Sequence, residues 1–148
     1  MAQVRFYHLR TATLERALPR LLEKVLGLGE RVVIVAAPER LESLDAALWT
    51  YDERGFLPHG SARDAHAEHQ PIWLSERIER PNGAAVLVLT EAREPVDLAD
   101  WKMAIDFIDG GDEGAVAAAR GRWRAWQQAG HELTYWTQGP DGGWAKTA

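Results

Sequence analysis

The stretch R-V-V-I-V-A-A, residues 31–37, is a short apolar run without polar alternation. Such a run is typical of a strand that is buried on both faces, and strands of this kind occur mainly in parallel sheets. Pro38 follows at a favoured first position of a helix, and the helix is marked by leucines at helical spacing. These are Leu41, Leu44 and Leu48. A strand followed directly by a helix favours an α/β fold.

The same alternation extends in both directions from this stretch. Upstream, residues 4–9 predict a strand, and Thr13 is a candidate cap for a helix that ends near Gly27 and Gly29. Pro19 is expected to start or kink the regular part of that helix. Downstream, further strands are predicted at 71–75, 84–90, 102–108 and 133–138, and a last helix at 113–130, capped by Asp112. Residues 51–70 are predicted to be largely irregular.

We therefore predict one α/β domain over residues 1–138, with three layers, a mostly parallel central sheet and helices on both faces. Residues 139–148 contain Pro140 and further glycines and are predicted to form a flexible C-terminal tail.

Composition limits the classes of protein to consider. The 148 residues include no cysteine, which excludes disulfides, thiolate metal sites and thiol catalysis. The sequence shows no signal peptide and no apolar run of about 18–20 residues, so we expect a cytoplasmic protein without a membrane partner. The net charge of −5 lacks the basic field of a duplex-binding protein, and direct sequence-specific DNA binding is not expected.

Motifs for nucleotide, metal or acid–base chemistry are missing or weak. No phosphate-binding G-x-x-x-x-G-K-[ST] loop and no G-x-S-x-G elbow occur. Gly27 and Gly29 precede a strand instead of following one, which favours a helix C-cap. His66 and His69 lack a third ligand at a diagnostic spacing. The acidic residues of segment 106–113 fit no standard calcium loop. We predict no catalytic residue, no metal and no cofactor; the alternative is a small α/β nucleotide-dependent enzyme.

Two segments have the character of binding surfaces. On the last helix, Arg120, Trp123 and Arg124 share one face with Val116 and Gln127, and the opposite face of small residues is expected to pack inward. Those small residues are Ala118, Gly121, Ala125 and Ala129. An exposed tryptophan between arginines suits a ligand that is both acidic and aromatic. A surface tryptophan covered by arginine stems is an equal alternative.

The second segment combines Trp49 with an apolar run a few residues later. That run is Phe56-Leu57-Pro58-His59. Trp49 lies about 80° from the leucine stripe of its helix at 100° per residue, so it need not enter the core. An interface and a small satellite core under a long loop are equally open interpretations.

Several segments occur in the order in which a known family has them. They are F-Y-H-L at 6–9, L-D-A-A-L-W at 44–49, F-L-P-H at 56–59, Q-P-I-W-L at 70–74, D-F-I-D at 106–109 and A-R-G-R-W-R-A-W-Q-Q-A-G at 119–130. Through them nearly the whole chain resembles the chi subunit family of bacterial DNA polymerase III holoenzyme. The resemblance implies a non-catalytic clamp-loader accessory in DNA replication, with a Rossmann-like fold that lacks nucleotide chemistry.

The resemblance also implies partners and sites. In the family, chi binds the acidic, phenylalanine-ended tail of single-stranded-DNA-binding protein, at positions matched here by Ile108, Arg120, Trp123 and Arg124. Tryptophan replaces the usual tyrosine and Arg124 a lysine, which keeps the chemistry. Residues 110–115 depart from the family pattern, so no basic residue is carried over from them.

A second family surface binds the psi subunit, which tethers chi to the clamp loader, and a repair helicase is thought to use the same region. The matching positions are Trp49, Phe56 and Leu57, with Pro58 and His59 adjacent. Because many bacteria have chi without a recognisable psi, an equivalent clamp-loader link is the alternative partner.

Overall fold

The structure, a computed structural model, describes residues 1–50, 59–61 and 67–148. Its helices and strands are β1 (Gln3–Leu9), α1 (Leu14–Gly27), β2 (Val32–Val35), α2 (Pro38–Thr50), β3 (His59–Ser61), β4 (Ile72–Ser75), β5 (Val86–Leu89), β6 (Met103–Asp109), α3 (Glu113–Gln128), β7 (Glu132–Gln138) and β8 (Trp144–Lys146). The described strands belong to one mostly parallel sheet. The predicted α/β fold class is thereby confirmed. Within the described ranges, no helix is long and apolar enough to cross a membrane.

The chain divides into two compact units, and the first comprises residues 1–13 and 88–148. Strand β1 lies between β6 and β7 and pairs with both in parallel. Phe6 is in register with Asp106 on one side and with Tyr135 on the other. Because side chains alternate along a strand, these three residues share the sheet face that carries α3.

The second unit comprises residues 14–87. Strand β4 pairs in parallel with both β2 and β3. Helices α1 and α2 are joined by an ion pair in which Arg40 Nε lies 2.6 Å from a Glu15 carboxylate oxygen. The fully buried side chains of this unit are mainly leucine and isoleucine, including Leu18, Ile34 and Leu44. The predicted pattern of apolar strand and leucine-striped helix therefore corresponds to its core.

Helix α1 begins at Leu14 and continues through Pro19, so the regular helix does not start at the proline as one interpretation had it. A proline inside a helix removes one backbone hydrogen bond. Pro19 is buried, and burial of its apolar surface offsets part of that loss.

The segment predicted as a flexible tail, residues 139–148, contains strand β8, which pairs antiparallel with β7. The chain reverses at a turn in which Gly139 N donates to Gly143 O at 2.7 Å and Gly142 takes a φ of 85°. Trp144 then packs edge-on against Tyr7, with ring centroids 4.9 Å apart. A strand and a tertiary contact thus occur in a segment whose local composition indicates a loop.

The inward face of α3 also differs from the prediction. Its buried residues are Ala119, Arg122 and Trp126, whereas Gly121 and Ala129 are exposed. A buried arginine is tolerated because Asp106 neutralises it, and the Trp126 indole donates to the Val96 carbonyl at 2.9 Å. The helix is thus oriented by its polar anchors and not by a small-residue face.

Candidate functional site

An open groove runs along the first unit between α3 and β7. It has a volume of about 210 Å3 and is lined by Ala119, Arg120, Trp123, Arg124, Tyr135 and Ala148. Three of the four residues predicted for an acidic, aromatic ligand therefore line one surface. The fourth, Ile108, is buried on β6 in register with His8 and is not among the lining residues.

The charge of the groove comes from two arginines one helical turn apart. Arg120 and Arg124 are both exposed and occupy positions i and i+4, so their guanidinium groups project from the same side of α3. The helix itself is fixed at its start by Asp112, whose carboxylate accepts the Ala115 amide at 3.1 Å. A rigid helix with two adjacent guanidinium groups is a suitable platform for carboxylates.

The aromatic part of the groove consists of Trp123 and Tyr135, whose rings meet nearly edge to face at a centroid distance of 6.2 Å. Both rings rest on Phe6, which is completely buried. Its centroid lies 5.4 Å from that of Trp123 and 6.0 Å from that of Tyr135. Trp123 is half-buried, whereas the sequence analysis predicts an exposed tryptophan. The groove therefore presents two supported aromatic walls beside two cations.

Tyr135 was not among the predicted site residues, although it forms one of those walls. Its hydroxyl lies 2.8 Å from His8 Nδ1. Burial raises the pKa of Tyr135 above its ordinary value, and the nearby Arg120 partly opposes this. Alternation along the last predicted strand could have placed Tyr135 on one face, but only the pairing of β7 with β1 shows which face carries α3.

Below the groove, α3 is anchored through a buried ion pair. Arg122 binds Asp106 with both ends of its guanidinium fork, at 2.7 and 2.8 Å, and also donates to the Ala92 carbonyl at 2.6 Å. Burial raises the pKa of Asp106, while the Arg122 hydrogen bonds counteract part of that shift. Of the other acids in this segment, Asp109 accepts the Gly111 amide and Asp112 caps the helix. These three carboxylates have structural partners.

The second predicted surface is described only in part. Trp49 is 57% exposed at the end of α2, and its ring packs edge-on against His59 at 4.9 Å. His59 is buried, and its Nε2 lies 3.0 Å from an Asp45 carboxylate oxygen. Phe56, Leu57 and Pro58 lie outside the described residues. The structure thus brings Trp49 and His59 together, with the indole left accessible.

Comparison with known proteins places these features in a family. Residues 1–134 match the family model described as DNA polymerase III chi subunit, HolC. The chain belongs to the DNA polymerase III chi subunit family. A relative described as a probable DNA polymerase III subunit chi from Rickettsia prowazekii (strain Madrid E) is 35% identical over 109 residues. That match covers 73% of this chain and 64% of the relative, so the chain spans less than two-thirds of the relative's length.

In this chi-family chain, the position of a phosphate cradle is filled by a side chain. In nucleotide-binding α/β folds, phosphate is bound by backbone amides that follow the first strand. Here the amides of residues 10, 11 and 12, which follow β1, all donate to Gln138 Oε1 at 3.0–3.1 Å. Gln138 is buried. These three donors are therefore satisfied within the protein.

Metal binding finds no support in the part of the chain that the structure describes. Among these residues, no group of three histidine, aspartate or glutamate side chains is placed to hold an ion. His69 is exposed, and His66 lies outside the described residues.

Proposed function

We propose that this chi-family chain is a non-catalytic accessory subunit of DNA polymerase III that acts in cytoplasmic DNA replication. In this role it links the clamp loader to single-stranded-DNA-binding protein by binding that protein's acidic C-terminal tail in the α3–β7 groove. The proposal rests on one observation. The same open groove is lined by two arginines, Arg120 and Arg124, and by two aromatic rings, those of Trp123 and Tyr135.

The chemistry of the groove matches such a tail in two respects. The exposed guanidinium groups of Arg120 and Arg124 pair with carboxylates, including the carboxylate at the end of the tail's own chain. Trp123 and Tyr135 offer a corner between two rings, into which a terminal phenylalanine ring can pack edge-on or offset. Ile108, buried on β6 in register with His8, remains part of the proposed site without lining the groove.

The overall charge of the chain makes the position of the arginines important. With a net charge of −5, the chain as a whole repels an acidic peptide. An acidic ligand therefore needs a local cationic surface, and the pair at positions 120 and 124 provides one. Screening by solvent limits the contribution of each exposed ion pair, so the aromatic contacts are needed for affinity.

A second contact is proposed for the surface around Trp49, with the psi subunit or an equivalent clamp-loader link as the partner and a repair helicase as an alternative user. The support is the exposed indole of Trp49, which rests on the buried ring of His59. The proposal also includes Phe56, Leu57 and Pro58, which lie outside the described residues, and His59. Exposed tryptophans held by a buried neighbour are frequent anchors of protein interfaces.

The test of the groove is a titration of a fluorescent peptide that carries several aspartates and ends in phenylalanine. Wild-type protein should bind it, and Arg124→Glu should weaken binding about tenfold or more, because a charge-assisted contact of about 1.5–3 kcal/mol is replaced by repulsion. Trp123→Ala should weaken binding by a similar factor through loss of one wall.

Matched controls separate the groove from general charge effects. Arg20→Glu makes the same change at an exposed arginine of α1 and should leave the affinity unchanged. A peptide whose last phenylalanine is replaced by alanine should lose most of its affinity. Failure of the wild type to bind contradicts the proposed function, and equal affinities of all variants contradict the proposed groove.

A further inference from the structure

The F-Y-H-L motif at residues 6–9 lies directly beside the groove. Phe6 and His8 share the α3 face of β1, where Phe6 contacts Trp123 and His8 contacts Tyr135. Tyr7 lies on the other face and contacts Trp144. Phe6 supports the aromatic walls of the groove, whereas His8 has no role in the proposed function.

We propose that His8 is a positioning residue of the groove, which holds Tyr135 as its second aromatic wall and couples binding of an acidic ligand to protonation of the imidazole. This inference rests on the proposed function of the groove. It adds His8 to the residues of the groove, and it adds a pH dependence of ligand affinity that recognition of an acidic, aromatic ligand does not require.

The geometry fixes Tyr135 from three sides. Its hydroxyl lies 2.8 Å from His8 Nδ1, its ring stacks on Phe6 with an interplanar angle of 15°, and its edge meets Trp123 at 64°. Of these three contacts, the hydroxyl contact with His8 is polar and the other two are ring contacts. Without it, ring contacts alone would hold Tyr135 in place at the side of an open groove.

The imidazole is itself confined on its far side. A side chain at Gly110 would collide with His8 Nε2 and with the Leu9 carbonyl oxygen, so the glycine leaves a slot for the ring. The Gly110 amide donates to the Leu9 carbonyl at 2.9 Å, which holds this loop against the end of β1. His8 is therefore clamped between Gly110 and the Tyr135 hydroxyl.

The hydrogen bond between His8 and Tyr135 reverses when the imidazole takes up a proton. In the neutral tautomer with its proton on Nε2, Nδ1 accepts a hydrogen bond from the tyrosine O–H, which leaves the hydroxyl with acceptor capacity only. In the protonated ring Nδ1–H donates to the tyrosine oxygen, which frees the tyrosine proton for a carboxylate in the groove. Protonation also adds one positive charge next to the ligand.

The charged neighbours determine the sign of the coupling. His8 is near Arg10, which follows β1, and Asp109 at the end of β6. Burial, followed by Arg10, lowers the pKa of His8 below 6.5 despite Asp109. Arg120, Asp106 and Arg122 act on Tyr135. His8 is therefore mainly neutral near neutral pH, and an anionic ligand bound beside Tyr135 favours its protonation. Ligand affinity accordingly increases as the pH falls through the titration of His8.

The experiment measures the affinity of the aspartate-rich, phenylalanine-ended peptide from about pH 8 to about pH 5.5, where its carboxylates remain ionised. Wild-type affinity should rise as the pH falls. His8→Ala should weaken binding about fivefold at neutral pH and flatten the profile. His8→Asn, which retains a polar atom near the Nδ1 position, should recover most of the neutral-pH affinity but not the pH dependence.

Tyr135→Phe completes a double-mutant cycle with His8→Ala. If the two residues act as a pair, the double variant binds no more weakly than either single variant. His69→Asn, which alters an exposed histidine, serves as the control and should keep the wild-type profile. In the ligand-free protein, Tyr135→Phe should also shift the midpoint of the His8 titration measured by NMR.

The outcomes are distinguishable. Absence of peptide binding by the wild type overturns the proposed function together with the ligand coupling. Binding by the wild type with unchanged affinity and pH profile in His8→Ala and Tyr135→Phe overturns the role of His8 but leaves the proposed function intact. An unchanged His8 midpoint in Tyr135→Phe likewise overturns the pairing.

Discussion

Arg122 and Asp106 form a two-point ion pair in the core of the first unit, with Nε 2.7 Å from Oδ2 and Nη2 2.8 Å from Oδ1. Arg122 is 2% exposed and Asp106 is 0% exposed. The pair connects the middle of α3 to the middle of β6, and thereby fixes which helix face carries the groove.

Removal of one partner of this pair should destabilise the protein strongly. Arg122→Met leaves the Asp106 carboxylate buried without a counter-ion, and we expect the free energy of unfolding to fall by about 3–5 kcal/mol. Urea denaturation measures the loss. The double variant Arg122→Met/Asp106→Leu should recover part of it, since no unpaired charge remains. Equal stability of Arg122→Met and the wild type would contradict a structural role for the pair.

Tail binding should weaken as the salt concentration rises, because the arginines of the groove are exposed and screened by ions. We expect the logarithm of the affinity to fall with increasing salt, and less steeply in Arg124→Gln, which removes one cation. Peptide titrations at three salt concentrations test this. A salt response in Arg124→Gln identical to that of the wild type would exclude a direct role for this charge.

Trp49→Ala should impair the second partner contact and leave the fold intact. The indole is 57% exposed, so its loss should change the free energy of unfolding little, whereas an interface anchor typically contributes 2 kcal/mol or more to binding. Calorimetry with purified psi, or with the equivalent clamp-loader link, measures the affinity. Ile78→Ala removes another exposed apolar side chain and should leave the affinity unchanged.

Glu79 should stabilise the folded protein at neutral pH and lose this effect in acid. Hydrogen bonds from the Trp73 indole, Ser75 and Arg77 lower its pKa in the folded protein, against the effect of burial. The unfolded chain therefore binds the proton more readily, so this contribution is present at neutral pH and is lost as the pH falls through the folded-state pKa. Urea denaturation between about pH 6 and about pH 3 should show a smaller pH dependence for Glu79→Gln than for the wild type.

Purified protein should show no nucleotide hydrolysis. The backbone amides that follow β1 are satisfied by Gln138, so no free cradle is available there for a phosphate. Incubation with ATP and detection of released phosphate test this. Turnover that disappears on substitution of one residue of this chain would favour the alternative, a small nucleotide-dependent enzyme.

Several features of the fold follow from local sequence. The apolar run at 31–37 predicts strand β2, the leucine pattern after Pro38 predicts α2, and Asp112 predicts the start of α3. These predictions are confirmed because each depends on the spacing of side chains within one element, or on a hydrogen bond between residues close in sequence.

The sequence also indicated that Arg120, Trp123 and Arg124 lie on one side of a helix, since helical geometry alone determines this. It wrongly indicated an exposed Trp123, which is half-buried. That burial depends on Phe6 and Tyr135, which are remote in sequence and reach the helix only through the pairing of β1 with β7.

The tertiary structure alone decided the orientation of α3, the second wall of the groove and the strand at residues 144–146. The small residues of α3 favoured one face for packing, but the Arg122–Asp106 pair turns a different face inward, and its energy depends on a partner 16 residues away. Tyr135 joins the groove because β1 places His8 and Phe6 beside it. Trp144 of β8 packs against the ring of Tyr7, which is remote in sequence. Sequence periodicity determines elements, whereas these contacts depend on strand register and long-range pairing, which no local pattern specifies.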